Sequence, residues 1–379
     1  MSNDLKPSYL DTFKELVSIP VQSRDERAIA DVIKQKLTAL GLTVTEDGAG
    51  AAIGGNTGNV IARLPNNTDN PAIPPLFLSS HLDRVKNHGK IVPVVNGDLI
   101  TSDGTSILAA DDVAGLCGIL ETLRILVKDN IPHGDIEVAL TVGEEAGLLG
   151  AKALDYAQFK AKEGYILDAP GRFGRIVTIA PTQYEMVVTV KGRPAHAGNE
   201  PEKGLNALMV AATALLKFPD GRISPDVTVN FGTIHGGIET NVVCDKVVIR
   251  GETRGTDEAA LQAIIEKVKA VSSEVAAQFN TTIDVETRKL YNAYHIKDED
   301  PLVEALFTAM TAEGVTPHTD KSGGASDGNF FNEKGIKTVV LAMGYSKNHT
   351  KAEQVYHKDI STAVRVLVRL IENRARATP

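Results

Sequence analysis

The sequence predicts an α/β fold: a domain with a mostly parallel central sheet flanked by helices, interrupted by an inserted α+β domain of ferredoxin-like order. Three observations predict it. Up to Pro181, strand-length apolar runs alternate with amphipathic helical stretches. The pattern then changes to strands with one wet face, and after Tyr294 the first pattern returns. The 379 residues also exceed what one hydrophobic core usually supports. The outer domain is expected over 1–182 and 293–379, and the insertion over 183–292, entering at a surface loop.

The elements follow in order. Leu10, Phe13, Leu16 and Val17 share one helical face, and a second amphipathic helix from Arg27 to Leu40 stops at Gly41. Gly58–Leu64 and Pro75–Ser80 read as strands bounded by Pro and Gly/Asn turns. From Asp111 to Leu126 apolar residues recur at helical spacing. Asp135–Val142 and Glu163–Asp168 are two more apolar strands. In the insertion, Gln183–Lys191 alternates as a half-wet strand. A helix (Asn206–Phe218), strands near Val227–Ile234 and Cys244–Thr253, a helix (Asp257–Ala277) and a strand (Thr282–Lys289) complete a β-α-β-β-α-β unit. A helix at Pro301–Glu313, a strand at Lys337–Ala342 and a closing helix at Ile360–Arg374 finish the chain.

Composition narrows the function. Apolar residues at 42% and charged residues at 23% describe a globular protein, not a disordered one. A formal charge of −8 argues against a nucleic-acid partner, because phosphate affinity needs clustered Lys and Arg. No run approaches the roughly 18 apolar residues of a membrane span, so no membrane partner is expected. No secretory signal is visible at the N-terminus, and the location is expected to be cytoplasmic. Cys117 and Cys244, each in an apolar run, are expected as buried thiols. Without a CxxC pair, any metal must be held by His and carboxylates.

In a parallel sheet, functional groups collect where strands end. His81 and Asp83, two apart on an extended backbone, point the same way, and a carboxylate beside a His fixes the ring of a metal ligand. A surface His near a turn would look the same. Asp111 and Asp112 open an apolar helix; N-capping accounts for one of them and not readily for both. Glu144 and Glu145 follow a buried strand and would repel unless a cation lies between them or one is protonated. A metal-bound Glu beside a Glu acting as general base resolves this. Asp168 and His349, each at a strand end, are weak signals alone. Together the five places offer two His and three carboxylates, the inventory of a binuclear N/O zinc site, with Co²⁺ or Mn²⁺ as substitutes.

The order HLD, DGT…ADD, GEEAGLLGAK, LDA, PAHAG…PEKGLNA, GGIETN, SGGASD, NHT resembles the zinc-dependent aminoacylase/carboxypeptidase family, peptidase family M20, and within it the peptidase T-like tripeptidases. The resemblance spans nearly the whole chain. It implies two Zn²⁺ per subunit, with Asp111 bridging them, His81 and Asp168 completing one shell, and Glu145 and His349 the other. Glu144 is implied as general base, Asp83 as the partner of His81, and the Asp111–Asp112 peptide bond as cis. The insertion corresponds to a lid and dimerisation domain whose His196 reaches the partner subunit's site in a homodimer and stabilises the oxyanion. Asn241, Arg254, Gly323 and Gly324 fall at substrate-holding positions.

The implied activity is hydrolysis of the terminal bond of short peptides; an N-acyl-amino-acid amidohydrolase or carboxypeptidase shares the chemistry. Three departures stand out: Arg84 replaces a Thr, Val113 a Lys, and Pro170 a common Gly. Arg84 and Pro170 are expected to border the cleft. A glycosidase pair at Glu144 and Glu145 is excluded, because such carboxylates flank a sugar instead of adjoining in sequence.

Overall fold

A computed structural model describes residues 6–86 and 89–377, with side chains from Tyr9 onward. The sequence expectation about a secretory signal concerns a segment whose residues 1–5 lie outside this range. The chain divides into two compact units. The first comprises Met1–Ile179, His295–Lys321 and Ser326–Pro379; the second, Ala180–Tyr294 with Ser322–Ala325.

The central sheet runs in the order Thr43–Glu46, Val60–Leu64, Ile136–Thr141, Leu76–His81, Glu163–Ala169, Lys337–Ala342, Arg175–Ala180, Tyr294–His295, with His318–Lys321 also paired to Arg175–Ala180. The four middle strands are mutually parallel. Leu76–His81 and Ile136–Thr141 are buried at every position, as expected of strands covered on both faces. Being parallel, the four strands deliver the residues after their C-terminal ends to one edge of the sheet. That edge receives His81, the 142–145 turn, Asp168 and the loop after Ala342.

Helix Ala110–Lys128 packs on Leu76–His81 and Glu163–Ala169 and is buried on nearly all sides, which is why its sequence is apolar all round. Gly115 permits that approach: a Cβ there would run into the Leu167 carbonyl oxygen and the Asp112 carboxylate. Helices Lys6–Ser18, Pro301–Ala312 and His357–Ala377 complete the packing. A small antiparallel sheet, Tyr345–Ser346, Gln354–Tyr356, Leu99–Ser102 and Pro93–Asn96, stands apart from the main one.

The second unit is an antiparallel sheet in the order Gly221–Ser224, Val227–Gly236, Lys246–Gly255, Thr182–Lys191, Ile283–Tyr291, with helices Ala207–Leu215 and Glu258–Gln278 packed on it. Apart from the added edge strand Gly221–Ser224, this is the ferredoxin-like order. Met186, Val188 and Val190 alternate into its core, as the half-wet pattern predicts.

Candidate metal centre

Each strand end contributes at the shared edge. His81 closes its strand. Its Nε2 lies 3.2 Å from Asp111 Oδ1 and 3.5 Å from Asp168 Oδ1. Its Nδ1 faces the Asp83 main-chain oxygen at 3.0 Å and the Asp83 carboxylate at 3.4 Å. Two acceptors on the Nδ1 side hold the ring proton there and leave the Nε2 lone pair for a cation. His349, exposed and with a left-handed φ of 63°, sets its Nε2 2.9 Å from Glu145 Oε1 and 3.3 Å from Asp111 Oδ2. Asp111 thus turns one oxygen to His81 and the other to His349.

The ligand atoms of His81, Asp111 and Asp168 lie within 4.8 Å of one another, as do those of Asp111, Glu145 and His349. The two trios share Asp111. A third trio, His81, Glu144 and Glu145, overlaps them. The Asp111–Asp112 peptide bond is cis. Asp112 takes the cap that the sequence leaves open between the two acids: its carboxylate accepts from the Gly115 N–H at 3.0 Å and from Ser80.

The electrostatics describe a pocket that lacks positive charge. Burial raises Asp168 and Asp112, and it raises Glu144 well above the usual carboxylate range, with Asp168, Asp327 and Glu145 adding to that against His81. Glu145 is raised by burial in spite of its bond to His349. Burial opposes ionisation of Asp111, but hydrogen bonds from His349 and His81 outweigh it and lower its pKa. Burial likewise works against protonating His81, yet Asp168, Asp111 and Asp83 hold it well above 6.5, and bonds to Asp111 and Glu145 push His349 up to about 10. Without cations, this cluster balances its charge with protons. Two imidazoles and several carboxylates on two trios with a common Asp are a donor set that suits a pair of N/O-bound divalent cations.

The match to the model of peptidase family M20/M25/M40 covers residues 77–373, which includes every residue of this cluster. The chain belongs to peptidase family M20/M25/M40. It is a hydrolase of the metallopeptidase class. It is 39% identical to the uncharacterized protein YqjE of Bacillus subtilis over 97% of this chain and 98% of the relative. The aminopeptidase PepT of Bacillus cereus aligns with a TM-score of 0.87 at 40% identity, over 97% of this chain and 98% of that one. A tripeptidase of Staphylococcus aureus aligns with a TM-score of 0.91 at 35% identity, over the same shares.

In this M20 peptidase, Asp83 holds more than His81. Its two oxygens accept the main-chain N–H groups of Glu144 (2.9 Å) and Glu145 (3.2 Å), and Ser23 donates to it at 2.6 Å. The remaining site residues singled out by sequence lie in the second unit. His196 is exposed, and its Nδ1 accepts from the Gly198 and Asn199 N–H groups, both at 3.1 Å. Asn241 lies close by, its carbonyl accepting from the Ala197 N–H at 2.9 Å. Arg254 is paired in bidentate fashion with Glu252; a Cβ on Gly324 would stand 3.9 Å from its Nη1, whereas one on Gly323 would meet nothing within 4 Å.

Of the departures, Val113 is core and Pro170 is exposed. Arg84 corrects its expectation. It is 3% exposed and donates to the carbonyls of Leu16 and Val17, which a helix C-terminus leaves open. Its two terminal nitrogens are used by that cap.

Sequence reasoning missed several members of the site. Asn348 donates to Asp111 Oδ2 (2.9 Å) and the Tyr345 hydroxyl to Asp168 (3.2 Å). Asp327, bonded to Thr141 and pushed by burial up to about 7, lies in the same buried charge cluster. Adjacency to His349 was the available signal for Asn348. Nothing in sequence marked Tyr345, and Asp327 was noticed only within its SGGASD loop.

Proposed function

We propose that the protein is a dizinc exopeptidase that hydrolyses the terminal peptide bond of short peptides, in the manner of a peptidase T-like aminopeptidase. The observation that carries this reading is Asp111, whose two oxygens face His81 with Asp168 on one side and His349 with Glu145 on the other. The likeness to an aminopeptidase and a tripeptidase over 97% of the chain supports the substrate class.

When bound, a pair of zinc ions supplies Lewis acidity that acidifies water and polarises a carbonyl. His81, Asp111 and Asp168 would hold one ion; Asp111, Glu145 and His349 the other. Glu144, half-buried beside them, accepts the proton of the attacking water and returns it to the leaving amine. The raised affinity of its carboxyl for a proton suits that shuttle. Asp83 keeps the Nδ1 proton of His81 in place and fixes the main chain of Glu144 and Glu145. In His196 the two N–H donors at Nδ1 place the ring proton on Nε2, so the side chain presents a donor for a developing oxyanion. We assign that role to the partner subunit's His196 in a homodimer formed through the second unit, which leaves Met209, Leu216 and Ile238 exposed. Asn241, Arg254, Gly323 and Gly324 are assigned to substrate binding.

Two free buried thiols are what a reducing compartment leaves, which supports a cytoplasmic location. Among the described residues, no helix is long and apolar enough to cross a membrane.

The test is a panel of di- and tripeptides, free and N-blocked, assayed with added Zn²⁺, Co²⁺ or Mn²⁺. Release of the first residue from free-amino tripeptides is expected. Cleavage of N-acetylated substrates alone would replace this reading with that of an amidohydrolase or carboxypeptidase. Glu144→Ala should lower kcat by a factor on the order of 10³ with metal content unchanged; loss of metal would make Glu144 a ligand instead.

A further inference from the structure

We infer that Glu353 is a positioning residue for the reaction: its carboxylate grips the main chain of residues 109–111 and so sets where Asp111 presents its two oxygens. The inference rests on the reading of Asp111 as the bridging ligand.

Glu353 is 1% exposed, although it sits in a polar loop. Its Oε2 accepts from the Ala109 N–H at 2.6 Å and its Oε1 from the Asp111 N–H at 3.2 Å. These N–H groups belong to the kinked segment that leads into helix Ala110–Lys128, where Asp111 and Asp112 depart from helical φ/ψ and no regular turn supplies partners. Ala109, at the cap position, has a φ of 61° and a side chain that accepts nothing. The acceptor comes from a carboxyl group more than 240 positions away in sequence.

Glu353 is itself well anchored. It immediately precedes the strand Gln354–Tyr356, which pairs on one side with Leu99–Ser102 and on the other with Tyr345–Ser346. The loop between Tyr345–Ser346 and Gln354–Tyr356 also carries Asn348 and His349, which meet Asp111 Oδ2 at 2.9 and 3.3 Å. One short loop therefore holds Asp111 by its side chain and by its main chain at once. Removing the main-chain grip leaves the shared Asp free to turn, and both cation positions depend on its orientation.

The experiment compares the wild type with Glu353→Gln and Glu353→Asp. Readouts are calorimetric titration with Co²⁺, the visible d–d spectrum of the loaded protein, and kcat against KM on a tripeptide. Gln keeps the size and only one of the two acceptors. It should weaken Co²⁺ binding about 10–100-fold, change the d–d bands and lower kcat at least about 10-fold with KM nearly unchanged. Asp, a methylene shorter but charged, should fall between. A purely structural role would lower the melting temperature and leave the spectrum and affinity of the folded, loaded protein as they were; that result in either folded variant overturns the proposal. If neither variant folds, amide exchange in the metal-free wild type decides. Ala109 and Asp111 should be as protected as the body of their helix, and free exchange refutes the grip. Asp111→Asn separates the two levels of inference. A wild type that takes up fewer than two Co²⁺, or an Asn variant that still takes up two, defeats the bridging assignment itself. Two Co²⁺ in the wild type with an indifferent Glu353 defeats only the present proposal.

Discussion

Glu26 offers a measurable link between the scaffold and the catalytic turn. Its side chain is fully buried, and Oε1 accepts from the Arg24 N–H (2.8 Å) and from the Gly143 N–H (2.9 Å), the residue before Glu144. Among the described residues, Oε2 has no hydrogen-bond partner. Burial, with the Asp83 charge nearby, moves the carboxyl from 4.5 up to about 7, against the help of those N–H donors. The folded state thus holds the proton more tightly than the unfolded chain. Below about pH 4.5 both states are protonated and no penalty exists; above about pH 7 both are ionised and the penalty is complete. At about 1.4 kcal/mol per unit, ionisation costs the fold up to roughly 3 kcal/mol, growing across that window as pH rises. Glu26→Gln keeps the Oε1 acceptor and cannot ionise, while its buried amide adds an unpartnered donor worth about 1–3 kcal/mol at every pH. Urea denaturation of both proteins in chelator, from pH 4.5 to 8, should show the variant gaining on the wild type by up to about 3 kcal/mol toward the alkaline end. Comparing the two proteins cancels the pH dependence of groups that do not couple to Glu26. Parallel stability curves would refute the reasoning, because they require an ordinary Glu26.

Three further outcomes are expected. Cations should displace the protons that the metal centre holds on its raised groups, His349, Glu145 and Asp168 among them. Affinity should therefore rise with pH, and calorimetry at pH 7.5 in buffers of different ionisation enthalpy should register at least about one proton released per ion; zero release contradicts the charge balance described. Gly115→Ala should destabilise by more than about 2 kcal/mol and weaken metal binding, since the new Cβ meets main chain and the Asp112 carboxylate, neither of which can give way; an unchanged melting temperature would show that the helix can shift freely. Mixing inactive Glu144→Ala with inactive His196→Ala subunits should restore about a quarter of wild-type sites, the share in which one subunit supplies Glu144 and its partner His196; no recovery after confirmed exchange rejects the trans role.

The parallel strands and the acids at their ends were legible because burial on both faces leaves a continuous apolar run, and an acid or His that stops such a run stands out. Thr43–Glu46 and the Pro93–Ser102 hairpin were not, because they are built of four-residue strands too short to show an apolar period, and Thr43–Glu46 and Pro93–Asn96 are also mostly exposed. The same logic divides the site. His81, Asp111, Glu145, Asp168 and His349 each interrupt or follow a buried strand or helix. Glu353 sits among Lys, Ala and Gln, and Glu26 among Arg and Asp, where an acid normally faces water. Only their partners, main-chain N–H groups distant in sequence, set them apart. Arg84 shows the converse: its unusual identity was visible, but whether its guanidinium turned to the cleft or to the end of a helix depended on packing that no local pattern encodes.

Six acids in and behind the metal centre divide into two kinds by what they bind. Asp83, Glu353 and Glu26 are occupied by main-chain N–H groups, of Glu144 and Glu145, of Ala109 and Asp111, and of Gly143. Each therefore fixes a segment that carries a functional side chain. Asp111, Asp168 and Glu145 point at imidazoles and at one another, which is tolerable only while protons or cations sit between them. A side chain held by main-chain N–H groups needs no metal to keep its place, so the frame is set before any ion arrives. The second kind then supplies the affinity: every cation that enters relieves repulsion among groups the frame will not let separate. Rigidity and metal affinity are in this sense the same property. Loosening any of the three framing carboxylates should therefore be read first in metal binding, and only afterwards in turnover.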